Sequence, residues 1–362
     1  MKKLFAIVFI LIILLSLVAC GKSSEEEKMT TLYLVTKIKH YNNGDIRVSR
    51  FEYDDHGRPT QMEVDTGYGV TKMELTYDDH GNLSNKKRTD ILPSGSTSVP
   101  STSPSLTYSG NQLTRVVYNT RADWSCGLNL EYDGSGRLTS VVCDEEYADK
   151  VAYPWHRFSY DDQGRLIKVT TCCQATGTVS GASGHSIVYY LQSEHYRYDA
   201  AGNLSESYWT KSDSYLRITP EEADQMEETQ VDKGSDHYFY HYADGKLDRI
   251  ENRNGEQVYS RSEFYSNPNY TFDAQGNLIR VQTGDTAWTE YTYEAIAVRE
   301  SDASMAKRLM RGILDNLGIR SSAVMDPMAY HILPRRNYFL ERVCPSFDFY
   351  YLIPFPLVEI DF

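Results

Sequence analysis

Apolar residues along this chain recur at every second position, in short runs that end on an aromatic residue and restart a few positions later. In the runs that enter a turn, Met73/Leu75/Tyr77, Leu128/Leu130/Tyr132 and Tyr270/Phe272 share one face, while Glu74, Asn129 and Glu131 point away. In the runs that leave a turn, Ile167/Val169, Val116/Tyr118 and Ile279/Val281 stand opposite Lys168, Arg115 and Arg280. A period of two with one apolar face predicts strands of a sheet with one buried and one wet side. On the wet side, Arg or Lys of one strand is placed to pair with Glu of the next.

The breaks between runs are written in one recurring signature: an aromatic residue, Asp, two variable residues, Gly, Arg or Asn, and usually Leu. Copies stand at Tyr53–Arg58, Tyr77–Leu83, Tyr132–Leu138, Tyr160–Leu166, Tyr198–Leu204 and Phe272–Leu278. Asp nucleates a turn, Gly supplies a positive φ, and the next strand starts at the apolar residue, so each copy predicts a β-hairpin. Shorter turns at Tyr41–Gly44, Tyr108–Asn111 and Tyr242–Gly245 fit the same system. Successive turns must alternate between two edges. From Tyr53 onward the signature turns share one edge, and the other carries irregular connections at 66–69, 89–105, 120–126, 144–155, 172–185, 210–236, 252–256 and Gly284. Roughly 17 strands in one antiparallel meander are too many to stay flat, which predicts a single domain over residues 31–295 rolled into an open barrel or half-pipe.

Two segments break the β pattern. Thr219-Pro220-Glu221-Glu222 carries helix-start chemistry and predicts a short acidic helix to about Glu228. Met305, Leu309, Met310, Ile313, Leu314 and Leu317 line one face of a second helix from Ser301 to Leu317, stopped by Gly318 and expected to plug or cover an open part of the rolled sheet. Residues 296–362 are thus read as a C-terminal amphipathic helix and an irregular aromatic-rich tail packed on the sheet.

The first nineteen residues place Lys2 and Lys3 ahead of an apolar run and then Leu17-Val18-Ala19-Cys20, the layout of a secretory signal. This end resembles the lipobox of bacterial lipoproteins, which implies lipidation of Cys20 and an outer-membrane anchor. Residues 20–30 form an acidic, disordered tether, and Gly21–Lys28 resembles the export signal that places Bacteroidetes lipoproteins on the cell exterior. The six repeats resemble the YD repeat of the Rhs family, whose hairpins wind into a β-shell. Together with the lipobox and tether, the chain looks like a Bacteroidetes surface lipoprotein of a domain-of-unknown-function family with a porin-like rolled β fold. That resemblance implies fold and location; no toxin-like domain follows the repeats.

Charge narrows the partners. Without Lys2 and Lys3 the chain keeps 35 basic against 50 acidic residues, about −15, which disfavours nucleic acid. All four tryptophans, Trp124, Trp155, Trp209 and Trp288, fall at the irregular edge, where aromatic rings stack on sugars or anchor a protein. This edge is therefore the candidate ligand-binding surface of a non-catalytic module for glycan or protein. A hydrolase assembled there from carboxylates such as Asp144, Glu145, Glu146, Asp213 and Asp236 is the alternative, as is a purely structural envelope protein. Cys126 and Cys143 flank one signature turn and form the candidate disulfide. Cys172-Cys173 fall in a Gly/Ser-rich connection. His237 and His241 lie four apart on a strand, about 13 Å, too far to share a metal, and the repeated Asp pairs are explained by turn formation. No metal or cofactor is expected.

Overall fold

In a computed structural model, residues 28–65, 67–98, 105–121, 124–143, 155–177, 186–215, 218, 220–223, 225–230, 237–303 and 306 are described. The architecture is mainly antiparallel β. The chain forms β1 (Met29–Asn42), β2 (Asp45–Tyr53), β3 (Pro59–Asp65), β4 (Val70–Tyr77), β5 (Leu83–Ile91) and β6 (Thr97–Ser98). It continues through β7 (Ser105–Ser109), β8 (Gln112–Arg121), β9 (Trp124–Tyr132), β10 (Leu138–Cys143), β11 (Trp155–Tyr160), β12 (Leu166–Gly177), β13 (Ser186–Tyr198) and β14 (Leu204–Ser212). After α1 (Pro220–Ala223) come β15 (Glu228–Gln230), β16 (His237–Ala243), β17 (Lys246–Asn252), β18 (Gln257–Ser260), α2 (Arg261–Ser266), β19 (Tyr270–Phe272), β20 (Leu278–Gly284) and β21 (Ala287–Arg299).

The meander divides into two sheets. One has nine strands in the order β19-β20-β21-β1-β2-β3-β4-β5-β6; the other runs β18-β17-β16-β14-β13-β12-β11-β10-β9-β8-β7, with β15 also paired to β14. The first and last described strands meet inside the first sheet, where β1 pairs with β21 from Met29 opposite Arg299 to Asn42 opposite Ala287. Nothing in the repeat signature announces this closure, and it carries strand pairing beyond the 31–295 limits at both ends. Between the sheets no backbone ladder forms among the described residues, so the roll stays open. Side chains bridge both seams. At one, Leu106 packs on both cores and the Tyr108 hydroxyl donates to the Leu83 carbonyl at 3.3 Å. At the other, α2 lays Phe264 against Tyr270 and Phe272, and Arg261 donates to the Leu247 carbonyl.

Each signature turn uses its residues in the same way. In the Tyr160 copy, Asp161 Oδ1 accepts the backbone N–H groups of Gln163 and Arg165, Gly164 N–H donates to the Asp161 carbonyl, and Gly164 holds φ at 83°. The aromatic residue then pairs six positions on, Tyr160 with Leu166, across a β-bulge that recurs at Tyr53, Tyr77, Tyr198 and Phe272. Neighbouring copies are tied by a second chain of contacts. Arg165 Nε pairs with Asp161 Oδ2 at 2.7 Å while its guanidinium lies 4.5 Å from the Tyr198 ring centroid, and the Tyr198 hydroxyl donates back to the Leu166 carbonyl at 2.8 Å. Arg58 with Tyr77 and Arg137 with Tyr160 repeat the stack. Tyr53, Tyr77, Tyr132, Tyr160 and Tyr293 repeat the hydroxyl bond. Asp and Arg of this edge are thereby engaged within the scaffold.

The apolar faces form two main cores, around Leu34, Ile38, Phe51, Met62 and Leu83 in the nine-stranded sheet and around Val116, Leu128, Val141, Leu204 and Ile250 in the other. The opposite face is wet, with ion pairs Arg50–Glu63–Lys72, Lys87–Glu74 and Arg197–Glu206 laid across adjacent strands. Strands reach 14 residues in β1 and 13 in β13 and β21, longer than the six to eight the sequence pattern suggests. That length would span a bilayer, but the charged outer face is not one that lipid would solvate.

Three sequence expectations are corrected. The acidic helix stops at Ala223, because Glu228 is drawn into β15 opposite Ser212. A helix at Arg261–Ser266 appears where none was expected, entered from an extended Ser260 and with Glu263 in its first turn. Cys172 and Cys173 lie within β12, which stays paired with β13 as far as Gly177 opposite Ser186. In the β9–β10 ladder, a bulge after Leu138 sets Cys143 opposite Leu128. The side chains of Cys126 and Cys143 lie outside the described residues, as do Cys20, the signal segment and tether through Glu27, and the C-terminal segment beyond Ala306. Residues 300–303 make a helical turn whose Asp302 contacts His56 Nδ1 at 2.9 Å, and Ala306 packs under the Gly57 turn.

Candidate functional site

The edge opposite the signature turns is built differently in the two sheets. In the nine-stranded sheet four consecutive connections, 284–287, 42–45, 65–70 and 91–97, interlock. Asn43 and Gly44 take positive φ values of 50° and 90°, giving the tight turn that Asn-Gly favours, and Asn43 N–H donates to the Thr286 carbonyl at 3.1 Å. Arg47 Nε pairs with Asp45 Oδ2 at 3.0 Å, and its guanidinium lies so close to Gly67 that a Cβ there would come within 2.3 Å of Cζ. A Cβ on Gly69 would come within 2.3 Å of the Ile91 carbonyl oxygen. Gly67 N–H also donates to Asp65 Oδ1 at 2.9 Å. The glycines are thus what lets each connection press against the next.

Large apolar side chains stand out from this rim: Ile46 is 55 % exposed, Tyr68 86 % and Leu92 48 %. Beside Ile46, Trp288 stacks on Tyr41 with ring centroids 4.5 Å apart and carries the Arg280 guanidinium at 4.8 Å. Its Nε1 is buried with no hydrogen-bond partner among the described residues.

The four tryptophans are shared between the two sheets. Trp124 and Trp155 open β9 and β11 at this edge, paired with Arg121 and Val142, and their side chains lie outside the described residues. Trp209 is half-buried opposite Glu194. Trp288 belongs to the other sheet. Of the candidate carboxylates, Asp213 is exposed, and Asp144, Glu145, Glu146 and Asp236 fall outside the described residues. The rim residues Ile46, Tyr68 and Leu92 went unremarked in the sequence, although Gly67-Tyr68-Gly69 was a usable signal, an aromatic held in a turn between two glycines.

In the twelve-stranded sheet, the excursion after β14 folds back over the outer face. Ile218, Ala223 and Met226 pack on Cys172 and Leu191. Glu228 fastens the segment, accepting from Lys168 at 2.9 Å and from the Thr210 hydroxyl at 2.5 Å, while Thr210 Oγ1 also meets His195 Nε2 at 2.8 Å. The Thr210 hydroxyl is committed to Glu228 and buried, so this His–Thr–Glu arrangement is a clasp. Burial, with Lys168 nearby, pulls His195 down to about 4, and hydrogen bonds from Thr210 and Lys168 hold Glu228 below its usual range despite desolvation. His195 stacks at 4.7 Å on Tyr208, which is followed by His237 at 5.6 Å; His237 contacts Glu206 at 2.6 Å and His241 contacts Glu251 at 3.0 Å. These rings are occupied with one another, and each histidine of β16 has its own acid.

The clasp predicts a staged loss of stability in acid. The folded-state His195 binds its proton less readily than the unfolded chain, so its contribution falls away as pH drops from about 6.5 toward about 4. Asp161 and Asp199 are held below the ordinary carboxylate range, because hydrogen bonds from Arg165 and Asn203 outweigh desolvation. Their contribution is complete above about pH 4 and is lost below it. Urea midpoints measured against pH should therefore decline in both ranges, and His195→Gln should flatten the upper one; an unchanged upper decline in that variant would rule out His195 as its source.

No protein-family model and no curated protein matches the chain. Among solved structures, the TcdB2-TccC3 complex aligns at 17 % identity over 69 % of this chain and 13 % of that chain, with a TM-score of 0.36. The same complex with Cdc42 gives 0.35 at the same identity and coverage. A porin-like protein from Bacteroides uniformis aligns at 12 % identity over 54 % of this chain and 93 % of that one, with a TM-score of 0.21. The chain thus spans a small part of the first two and nearly all of the third.

Proposed function

We propose that the chain is a lipid-anchored, outward-facing module of the bacterial outer membrane that binds a glycan or a protein, without catalysis, at the irregular edge of its sheets. Cys20 supplies the anchor and the acidic tether the reach. The observation that carries the reading is the contrast between edges. On the signature edge Asp, Arg and Tyr are engaged in the scaffold, whereas the opposite rim of the nine-stranded sheet holds Ile46, Tyr68 and Leu92 out to solvent on interlocked turns. Exposed rings and aliphatics on a pre-organised frame bind with little ordering cost.

The test compares the wild-type chain with the triple variant Ile46→Ser/Tyr68→Ser/Leu92→Ser and a signature-edge control, His80→Ser. Each is assayed against immobilised polysaccharides and purified surface proteins. Retention of the wild type and control with loss in the triple variant is expected; equal behaviour of all three would defeat the reading.

A further inference from the structure

We infer that Tyr68 and the Arg47–Asp45 pair form a subsite for one pyranose ring of a neutral oligosaccharide that runs along the rim from Ile46 to Leu92. The inference rests on the reading of this edge as the recognition surface and names its ligand class. Tyr68 is 86 % exposed, and its neighbours Gly67 and Gly69 carry no side chain that could crowd a ligand at the ring. An aromatic face suits the C–H face of a sugar. Beside it stands a planar guanidinium–carboxylate pair, Arg47 at 42 % and Asp45 at 59 % side-chain exposure, offering donors and acceptors to hydroxyl groups at the sugar's rim.

Charge and spacing select among occupants. The four turns carry Asp45, Asp65 and Asp285, and the two arginines beside them, Arg47 and Arg280, are already paired with Asp45 and Glu290. An anionic sugar or an anionic lipid surface would be repelled, and inserting the tips into a bilayer would drag the carboxylates out of water. A protein partner would need a contiguous desolvated patch at its centre. Here the apolar tips sit on successive hairpins about 10 Å apart, two strand spacings, with polar groups between them. That spacing is on the order of a disaccharide and suits a chain whose rings present apolar faces and polar rims in alternation.

Full-length chain in detergent would be titrated by calorimetry with cellohexaose, xylohexaose, mannohexaose and N-acetylchitohexaose. At least one is expected to bind; Tyr68→Ala should weaken it about tenfold, the value of one good ring contact, and Tyr68→Trp should retain it. Arg47→Ala should weaken it less. Retained binding in Tyr68→Trp, with a cooperative thermal transition kept in Tyr68→Ala, separates lost contact from lost fold. Failure of all four sugars to bind overturns the inference, and the edge reading survives only if a purified protein is retained in the rim-dependent way described above. Sugar binding that ignores Tyr68→Ala but falls in Ile46→Ser or Leu92→Ser overturns the subsite alone. Sugar binding indifferent to every rim variant overturns both.

Discussion

Ile38→Pro is expected to dismantle the nine-stranded sheet while leaving the other largely paired. Ile38 lies in β1 between Ser49 of β2 and Tyr291 of β21 and is fully buried. Proline removes a ladder donor from a strand paired on both sides, and it also deletes most of a buried side chain, a loss of about 2–4 kcal/mol for comparable truncations. Added to the broken ladder, this reaches the low end of the 5–15 kcal/mol that typically holds a domain together. Because β1 alone joins β2–β6 to β19–β21, the damage should propagate to both halves. Hydrogen exchange followed by mass spectrometry would read it: fast exchange over residues 29–91 and 270–299, with protection kept in β8–β14. Uniform loss across both sheets would mean that the seams couple them more tightly than side-chain contacts suggest; uniform retention would mean that β1 is not the joint.

That joint was the least legible part of the fold. Tyr-Asp signatures name their own partners, because each hairpin closes over five residues, so neighbouring strands could be paired from sequence alone. The partner of Met29–Asn42 lies some 260 residues away and carries no matching signature; only the apolar content of the two strands, Leu34, Ile38, Tyr291 and Val298 among them, hints at it. Bulges were equally hidden. In the Tyr132 copy the extra residue in the bulge moves every later pair, so that Cys143 lies opposite Leu128. At the candidate site, position at the irregular edge pointed to tryptophan. Trp288 stacks there on Tyr41, while Tyr68, one of many tyrosines, stands exposed between two glycines that allow the turns around it to close.

The two roles of tyrosine can be separated by substitution. Tyr198→Ala is expected to cost about 2–4 kcal/mol, somewhat under the value for a fully buried ring, since Tyr198 is only half-buried. Three contacts go with the ring: packing on the core, the stack under Arg165, and the hydroxyl bond to the Leu166 carbonyl. Tyr198→Phe removes the last alone and should cost about 1 kcal/mol. Arg165→Ala removes the stack and the Asp161 pair together. If the stack matters in itself, the double variant Tyr198→Ala/Arg165→Ala should be less damaged than the sum of its parts by about 0.5–1 kcal/mol. Denaturant midpoints give all four values, and strict additivity would reduce Arg165 to a surface ion pair with its own aspartate. Set against a Tyr68→Ala that loses ligand and keeps its fold, a costly Tyr198→Ala would establish that the same residue type holds the repeats together on one edge and stands exposed to a ligand on the other.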